Sequence, residues 1–172
     1  MKAFQAKSFL RHWLLRVDEH SLHSPFFYDL YQQVINPKAN NNSFAPIEEL
    51  RKKLHEDHTP ISVVDLGAAS HHFSDKKRTI AQVARTSVTP PRWCQFVHRL
   101  IQHLGSKHVV ELGTSMGIMS LCMANESDVQ LTTFEGNTDM VNIALTNFEY
   151  FEKHNIQLVE GNLDKTLKDY LE

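Results

Sequence analysis

The sequence predicts an α/β fold in which a parallel sheet follows a helical N-terminal segment. From residue 107 onward, short apolar runs alternate with amphipathic runs in the order strand, helix, strand, helix, strand, helix. This alternation is typical of βαβ units with right-handed crossovers. Before residue 59, apolar residues recur at helical spacing instead. We therefore place a helical cap in residues 1–58 and the sheet domain in residues 59–172.

Length and composition indicate one globular domain with an appendage. The chain has 172 residues, of which 41% are apolar and 22% charged, and its net charge of −2 gives no attraction to nucleic acid or to an anionic membrane. No apolar run is long enough to cross a bilayer, and the N-terminus does not resemble a signal peptide. Cys94 and Cys122 lie in apolar helical patterns, which predicts reduced, buried thiols and a cytoplasmic protein.

Three helices are predicted in the cap. The first contains Phe9 to Val17, and the third covers residues 46–57 on the surface. In the second, Ser24 is the expected N-cap and Pro25 the first helical residue. Its predicted buried stripe consists of Phe26, Phe27, Leu30, Tyr31, Val34 and Ile35.

Two further helices are predicted before the alternating segment. Residues 71–87 read as a helix capped by Ser74 or Asp75. Prolines at 90 and 91 start the next helix, and Gly105 ends it as a C-cap. The spacing predicts that its buried face consists of Trp93, Phe96, Val97, Leu100, Ile101 and Leu104.

A near-repeat raises the question of a cofactor site. Residues 63–70 read VVDLGAAS and residues 109–116 read VVELGTSM, and either could be a strand that leads into a nucleotide-binding turn. Only the second copy has two glycines, Gly113 and Gly117, directly before a helix, and an acid, Glu135, at the end of the next strand. We therefore predict the cofactor turn at the second copy.

The motifs around that turn resemble those of a known family. ELGTSMG is similar to motif I of the class I S-adenosylmethionine-dependent methyltransferases, in the form found in small O-methyltransferases of the catechol and caffeoyl-CoA type. TPPRWCQFVHRLIQHLG resembles the helix before their first core strand, and FEGN and LVEGNLDKTL resemble the ends of their second and third strands. With HSPFFYDLYQQVI and VVDLGAAS included, nearly the whole chain is similar to a group of bacterial methyltransferases.

The resemblance implies a Rossmann-like sheet, S-adenosylmethionine as cofactor, and O-methyl transfer to a small molecule. Glu111 and Gly113 would line the methionine end, Gly117 would allow the close turn, Glu135 would bind the ribose hydroxyls and Asn162 would lie near the adenine. Two departures affect the site, since Ser115 stands where many relatives have glycine and Asn162 where Asp is frequent. The predicted cofactor-binding set is Glu111, Gly113, Thr114, Ser115, Gly117, Glu135, Gly136 and Asn162.

The same resemblance implies a sheet of seven strands, of which this sequence supplies three. We expect that the chain is truncated after the third core strand, and that the strand at 109–112 is therefore an open edge. A homodimer, another partner or pairing with residues 63–68 could cover that edge. The family's acceptor and metal chemistry would lie mostly beyond residue 172, so no general base and no metal ligand are predicted here.

Other functions remain open from the sequence alone. An NAD-binding Rossmann protein would also use an acid after the second strand, although the middle glycine of that motif is missing. A non-catalytic nucleotide- or partner-binding module is the other alternative, in which Glu111 caps a helix and the glycines only permit a tight turn. The cluster of Lys76, Lys77, Arg78 and Arg85 is a solvated face or a contact for an anionic substrate.

Overall fold

The computed structural model describes residues 2–15, 23–37, 44–63, 77–126 and 128–172. These residues form two compact units, Met1–Asn40 and Asn41–Glu172. The division between the units lies earlier in the chain than the predicted domain boundary after residue 58. The assignment of residues 1–58 as a cap and of residues 59–172 as a cofactor domain stays a prediction.

The smaller unit is helical, as its apolar spacing predicts. It contains α1 (Lys2–Leu15) and α2 (Pro25–Leu30), and α2 continues into a π-helical segment, Tyr31–Ile35. Ser24 occupies the N-cap of α2, but its side chain makes no capping hydrogen bond. The predicted buried stripe is wrong for most of its members: Val34 is buried, whereas Phe26, Phe27 and Ile35 are more than half exposed.

The larger unit contains a parallel sheet of three strands, as predicted. The strands are β3 (His108–Leu112), β4 (Gln130–Glu135) and β5 (Ile156–Glu160), with β4 in the centre. They alternate with α6 (Ile118–Met123), α7 (Thr138–Tyr150) and α8 (Leu163–Leu171). This arrangement confirms the Rossmann-like order of the predicted elements.

The two faces of the sheet are covered unequally. On one face, Leu131 packs in an apolar cluster with Ile101, Met123 and Ala124. On the opposite face, the ring of Phe134 meets the Tyr170 ring of α8 edge-on at 5.6 Å. Val110 and Leu112 of β3 are 45% and 55% exposed, and among the described residues β3 pairs only with β4.

A second, two-stranded sheet lies before α4 in the chain. β1 (Pro60–Ser62) pairs antiparallel with β2 (Lys77–Thr79), and α3 (Ala45–Glu56) leads into β1. α4 (Ile80–Ser87) begins at Thr79, whose side chain accepts a bond from the Gln82 N–H in a capping box. The predicted helix start at Ser74 or Asp75 is therefore too early, because Lys77–Thr79 is extended. Ser74 and Asp75 themselves lie outside the described residues.

The fifth helix, α5 (Pro91–Leu104), has the predicted ends but not the predicted face. Pro91 is its first residue and Gly105 ends it in the left-handed conformation, with φ of +62°. Its buried residues are Cys94, His98 and Ile101, while Trp93 and Leu104 are about half exposed. His98 can be buried because its Nδ1 lies within hydrogen-bond distance of the Cys122 carbonyl oxygen, at 3.1 Å, and its ring packs on Phe44.

Cys94 and Cys122 are buried free thiols, as predicted. No helix among the described residues is both long and apolar enough to cross a membrane.

Candidate functional site

The carboxyl ends of the three parallel strands bring most of the predicted site residues to one edge of the sheet. The N–H groups of Gly113 and Thr114 donate to the Phe134 carbonyl oxygen at 2.9 and 3.0 Å. The Gly161 N–H donates to the Glu135 carbonyl oxygen at 2.9 Å. The turns after β3, β4 and β5 are therefore joined by backbone bonds at the edge where open α/β sheets bind ligands.

The two glycines of the turn after β3 have different surroundings. Both have positive φ, +94° at Gly113 and +81° at Gly117, which favours glycine. A Cβ on Gly113 would meet nothing within 4 Å, so this part of the turn faces open space. A Cβ on Gly117 would lie 2.6 Å from Cε1 of Phe148. Gly117 is thus required by the packing of α7, whereas Gly113 leaves room for a ligand.

Ser115 lies between them in a conformation that side chains rarely adopt. Its φ of +49° is left-handed, at a cost of roughly 1–2 kcal/mol for a residue with a Cβ. Two contacts hold it there: its N–H donates to Oε2 of Glu135 at 2.8 Å, and its Oγ donates to the Ser87 Oγ at 3.3 Å. The turn is therefore fastened both to the end of β4 and to the end of α4.

Glu135 joins the first two turns through its carboxylate. Oε2 accepts from Ser115, and Oε1 accepts from the N–H groups of Gly136 and Asn137, each at 2.9 Å. A carboxylate offers about four acceptor positions. Three of them are used inside the protein, so Glu135 can accept one further hydrogen bond without breaking these contacts.

Glu111, the acid of the turn motif, is held by one of its two oxygens. Its Oε2 accepts from the Ser120 Oγ at 2.5 Å and from the Thr133 Oγ1 at 2.7 Å. Its Oε1 has no hydrogen-bond partner among the described residues. Burial, together with the nearby Glu135 charge, outweighs these two hydroxyl bonds and raises the pKa of Glu111 to about 7. The charged form of this carboxyl is therefore disfavoured relative to that of an ordinary Glu.

A buried hydroxyl connects Glu111 to the turn itself. Thr133 is fully buried, and its Oγ1 lies 2.6 Å from the Oγ1 of Thr114, which is 2% exposed. Because Thr133 also donates to Glu111, the three side chains form one continuous chain of hydrogen bonds. Glu111 of β3 and Thr114 of the turn are thus linked by hydrogen bonds through Thr133 of β4.

Asn162, at the end of β5, acts as a helix cap in the structure. It occupies the N-cap of α8, and its Oδ1 accepts from the Asp164 N–H at 2.8 Å. The amide oxygen is therefore engaged locally, and only the amide nitrogen has no partner among the described residues. Its predicted closeness to an adenine stays a prediction.

The sequence did not predict that β1 would lie beside this edge. Asn137 caps α7, and its Nδ2 donates to the Ser62 carbonyl oxygen at 3.0 Å. The Ser62 N–H donates to Oδ2 of Asp139 at 2.6 Å. The capping role of Asn137 has a local signal, an Asn directly before a helical pattern, but the contacts of Ser62 and Ser87 have none because they join distant segments.

Some predicted features cannot be placed at the site. Residues 64–70 of the first near-repeat, and Lys76, lie outside the described residues. Lys77 and Arg78 lie in β2. Among the described residues, no group of three or more His, Cys, Asp or Glu side chains is arranged to hold a metal ion.

Comparisons with known proteins agree with this arrangement. A family model described as O-methyltransferase matches residues 70–172. The comparison with curated proteins found no match. Similar solved structures include the SAH-bound methyltransferase PaMTH1 of Podospora anserina, with 14% identity and a TM-score of 0.53 over 78% of this chain and 48% of that chain. A candidate O-methyltransferase from Klebsiella pneumoniae has 18% identity and a TM-score of 0.51 over 81% and 52% of the respective chains.

These likenesses show the fold, and the length of each match is informative. The chain spans about half the length of the two solved structures, 48% and 52%. The family match begins at residue 70, so it includes α4, α5 and the whole parallel sheet.

Proposed function

This chain belongs to the O-methyltransferase family, and we propose that it binds S-adenosylmethionine at the carboxyl ends of its parallel strands, for O-methyl transfer to a small molecule. The observation that carries the proposal is the turn from Gly113 to Gly117, which is open at Gly113 and fastened to the acid at the end of the next strand. S-adenosylmethionine would supply a methyl group bonded to a sulfonium, which is transferred when donor and acceptor are held in line.

The residues present fit the methionine end of this cofactor. The open space at Gly113 allows a ligand to approach the backbone. The unengaged Oε1 of Glu111 is an acceptor for an ammonium group, and the charge of that group would favour the ionised carboxyl. Thr114 and Ser115 would line the same turn, and Gly117 would keep α7 packed behind it.

The residues at the ends of β4 and β5 fit the nucleoside, with a restriction. Glu135 retains one acceptor position, so it would bind one ribose hydroxyl while it still holds Ser115, Gly136 and Asn137. A bond to the second hydroxyl would require that one backbone N–H be released. The amide nitrogen of Asn162 would be a donor to an adenine nitrogen, since its oxygen caps α8.

The proposal also includes a cytoplasmic location and a strand that covers β3. The two reduced cysteines are consistent with a cytoplasmic protein. Among the described residues, one side of β3 has no strand partner. A further strand from a second copy or another partner would cover it, because an apolar edge strand is prone to pair.

The role of Glu135 is tested by measuring S-adenosylhomocysteine affinity by calorimetry. Glu135→Ala should weaken binding by about 1–3 kcal/mol, because it removes a charged acceptor of a ribose hydroxyl. Glu135→Gln should lose less, since the amide keeps one oxygen. Glu149→Ala, an exposed acid on α7, is the matched control. Unchanged affinity in Glu135→Ala would place the nucleoside elsewhere.

A further inference from the structure

We propose that Thr133 is a positioning residue of the cofactor turn. Its hydroxyl favours the charged form of the Glu111 carboxyl, which would accept the cationic end of the ligand, and links that carboxyl to Thr114. Thr133 lies in the middle of β4, outside the motifs that suggest the family. The inference rests on the proposed function, since it concerns how the same site recognises its ligand.

The geometry leaves Thr133 one arrangement when Glu111 is charged. Its hydroxyl has a single hydrogen and lies between two partners, Oε2 of Glu111 at 2.7 Å and Oγ1 of Thr114 at 2.6 Å. A carboxylate only accepts, so Thr133 must donate to Glu111 and Thr114 must donate to Thr133. The direction of the hydroxyl chain is therefore fixed by the charge on Glu111.

A cation and a proton compete for the same carboxyl. Ser120 and Thr133 both donate to Oε2, which favours the charged form, and Oε1 has no partner among the described residues. Burial opposes that form, and Glu135 is the charged neighbour that opposes it further. An ammonium at Oε1 would favour the ionised carboxyl, so ligand binding should release a proton. The affinity should therefore increase as the pH rises through about 7.

Loss of the Thr133 hydroxyl should raise the pKa of Glu111 further. Thr133→Val keeps the shape of the side chain and removes one of the two hydroxyl bonds that lower the pKa of Glu111. A hydrogen bond to a charged group corresponds to a shift of about one pH unit in the midpoint of the affinity profile. The midpoint should therefore move upward by about that amount.

The test is the S-adenosylhomocysteine affinity of the full chain, measured by calorimetry across the neutral range. Thr133→Val should bind about tenfold more weakly near pH 6, and about equally near pH 9, where Glu111 is ionised in both proteins. Thr133→Ser, which restores the hydroxyl, should restore the profile. Thr132→Val is the control, because Thr132 is half-buried and alternates to the other face of the sheet. A loss of the same size at every pH would overturn the proposal.

A second measurement needs no ligand. The carboxyl carbon of Glu111 in the free chain, followed by NMR as the pH is changed, should titrate at a higher pH in Thr133→Val than in the wild type. If the wild type bound no S-adenosylhomocysteine, the proposed function would fail, and an unchanged Glu111 midpoint in Thr133→Val would separately overturn the role of Thr133. An upward shift reversed in Thr133→Ser supports it.

Discussion

Replacement of Glu111 by Gln should make the chain more stable at alkaline pH and change little at acidic pH. The pKa of Glu111 is raised from 4.5 to about 7 in the folded chain, chiefly by burial. As the pH rises, the unfolded chain therefore ionises first, and stability is lost between about pH 4.5 and pH 7. At 1.36 kcal/mol per unit, the full loss is about 3 kcal/mol. Gln does not ionise, and its carbonyl oxygen can still accept from Ser120 and Thr133.

The assay is urea unfolding of the wild type and Glu111→Gln near pH 4.5 and near pH 8. Between the lower and the higher pH, the free energy of unfolding of the variant should rise by about 3 kcal/mol relative to that of the wild type. Contributions of other titrating groups, including the buried His98, are common to both proteins and cancel. Glu149→Gln makes the same chemical change on the exposed face of α7, away from the site, and serves as the control. If the free energies of unfolding of Glu111→Gln and the wild type differed by the same amount at both pH values, burial of the Glu111 charge would not destabilise the chain.

Two further predictions concern side-chain contacts, one at the turn after β3 and one at Arg51 of α3. Gly117→Ala should lower the free energy of unfolding by about 2–4 kcal/mol, because its Cβ would collide with Phe148. Gly113→Ala should cost about 1–2 kcal/mol, because only its positive φ is unfavourable. Equal losses in urea unfolding would contradict the packing role of Gly117. Arg51→Ala should cost about 2–4 kcal/mol, because Arg51 donates to Glu48, to the Thr89 carbonyl oxygen and to Cys94. Lys52→Ala, which removes only an exposed ion pair, should leave stability nearly unchanged, and an equal effect of both would show that the Arg51 contacts contribute nothing.

The alternating half of the fold could be predicted because its signals are local. Each strand from β3 to β5 is a short apolar run, and each following helix has its own cap or apolar period. The start of α4 was misplaced because Lys77–Thr79 pairs with β1, a partner that the local sequence does not reveal. The prediction of the buried face of α5 was wrong because His98 lies on that face. Its hydrogen bond with the Cys122 carbonyl oxygen allows its burial, and hydrophobic spacing does not predict this bond.

The candidate site was predicted in outline rather than in its contacts. The turn could be located because its backbone conformation requires glycines at fixed spacing and because an acid, Glu135, ends the next strand. The hydrogen bonds of Thr133 to Glu111 and Thr114 could not be predicted, since Thr in a strand is ordinary β composition. That Glu135 already holds three backbone N–H groups also depends on the distance between two turns, which only the folded chain fixes.

Calorimetric titration of the full chain with S-adenosylhomocysteine, and in parallel with NAD, tests the central claim most directly. S-adenosylhomocysteine should bind at one site, and Gly113→Val should abolish this binding because the side chain would fill the open face of the turn. Binding of NAD alone would contradict the proposed cofactor, and binding of neither ligand would favour a non-catalytic module.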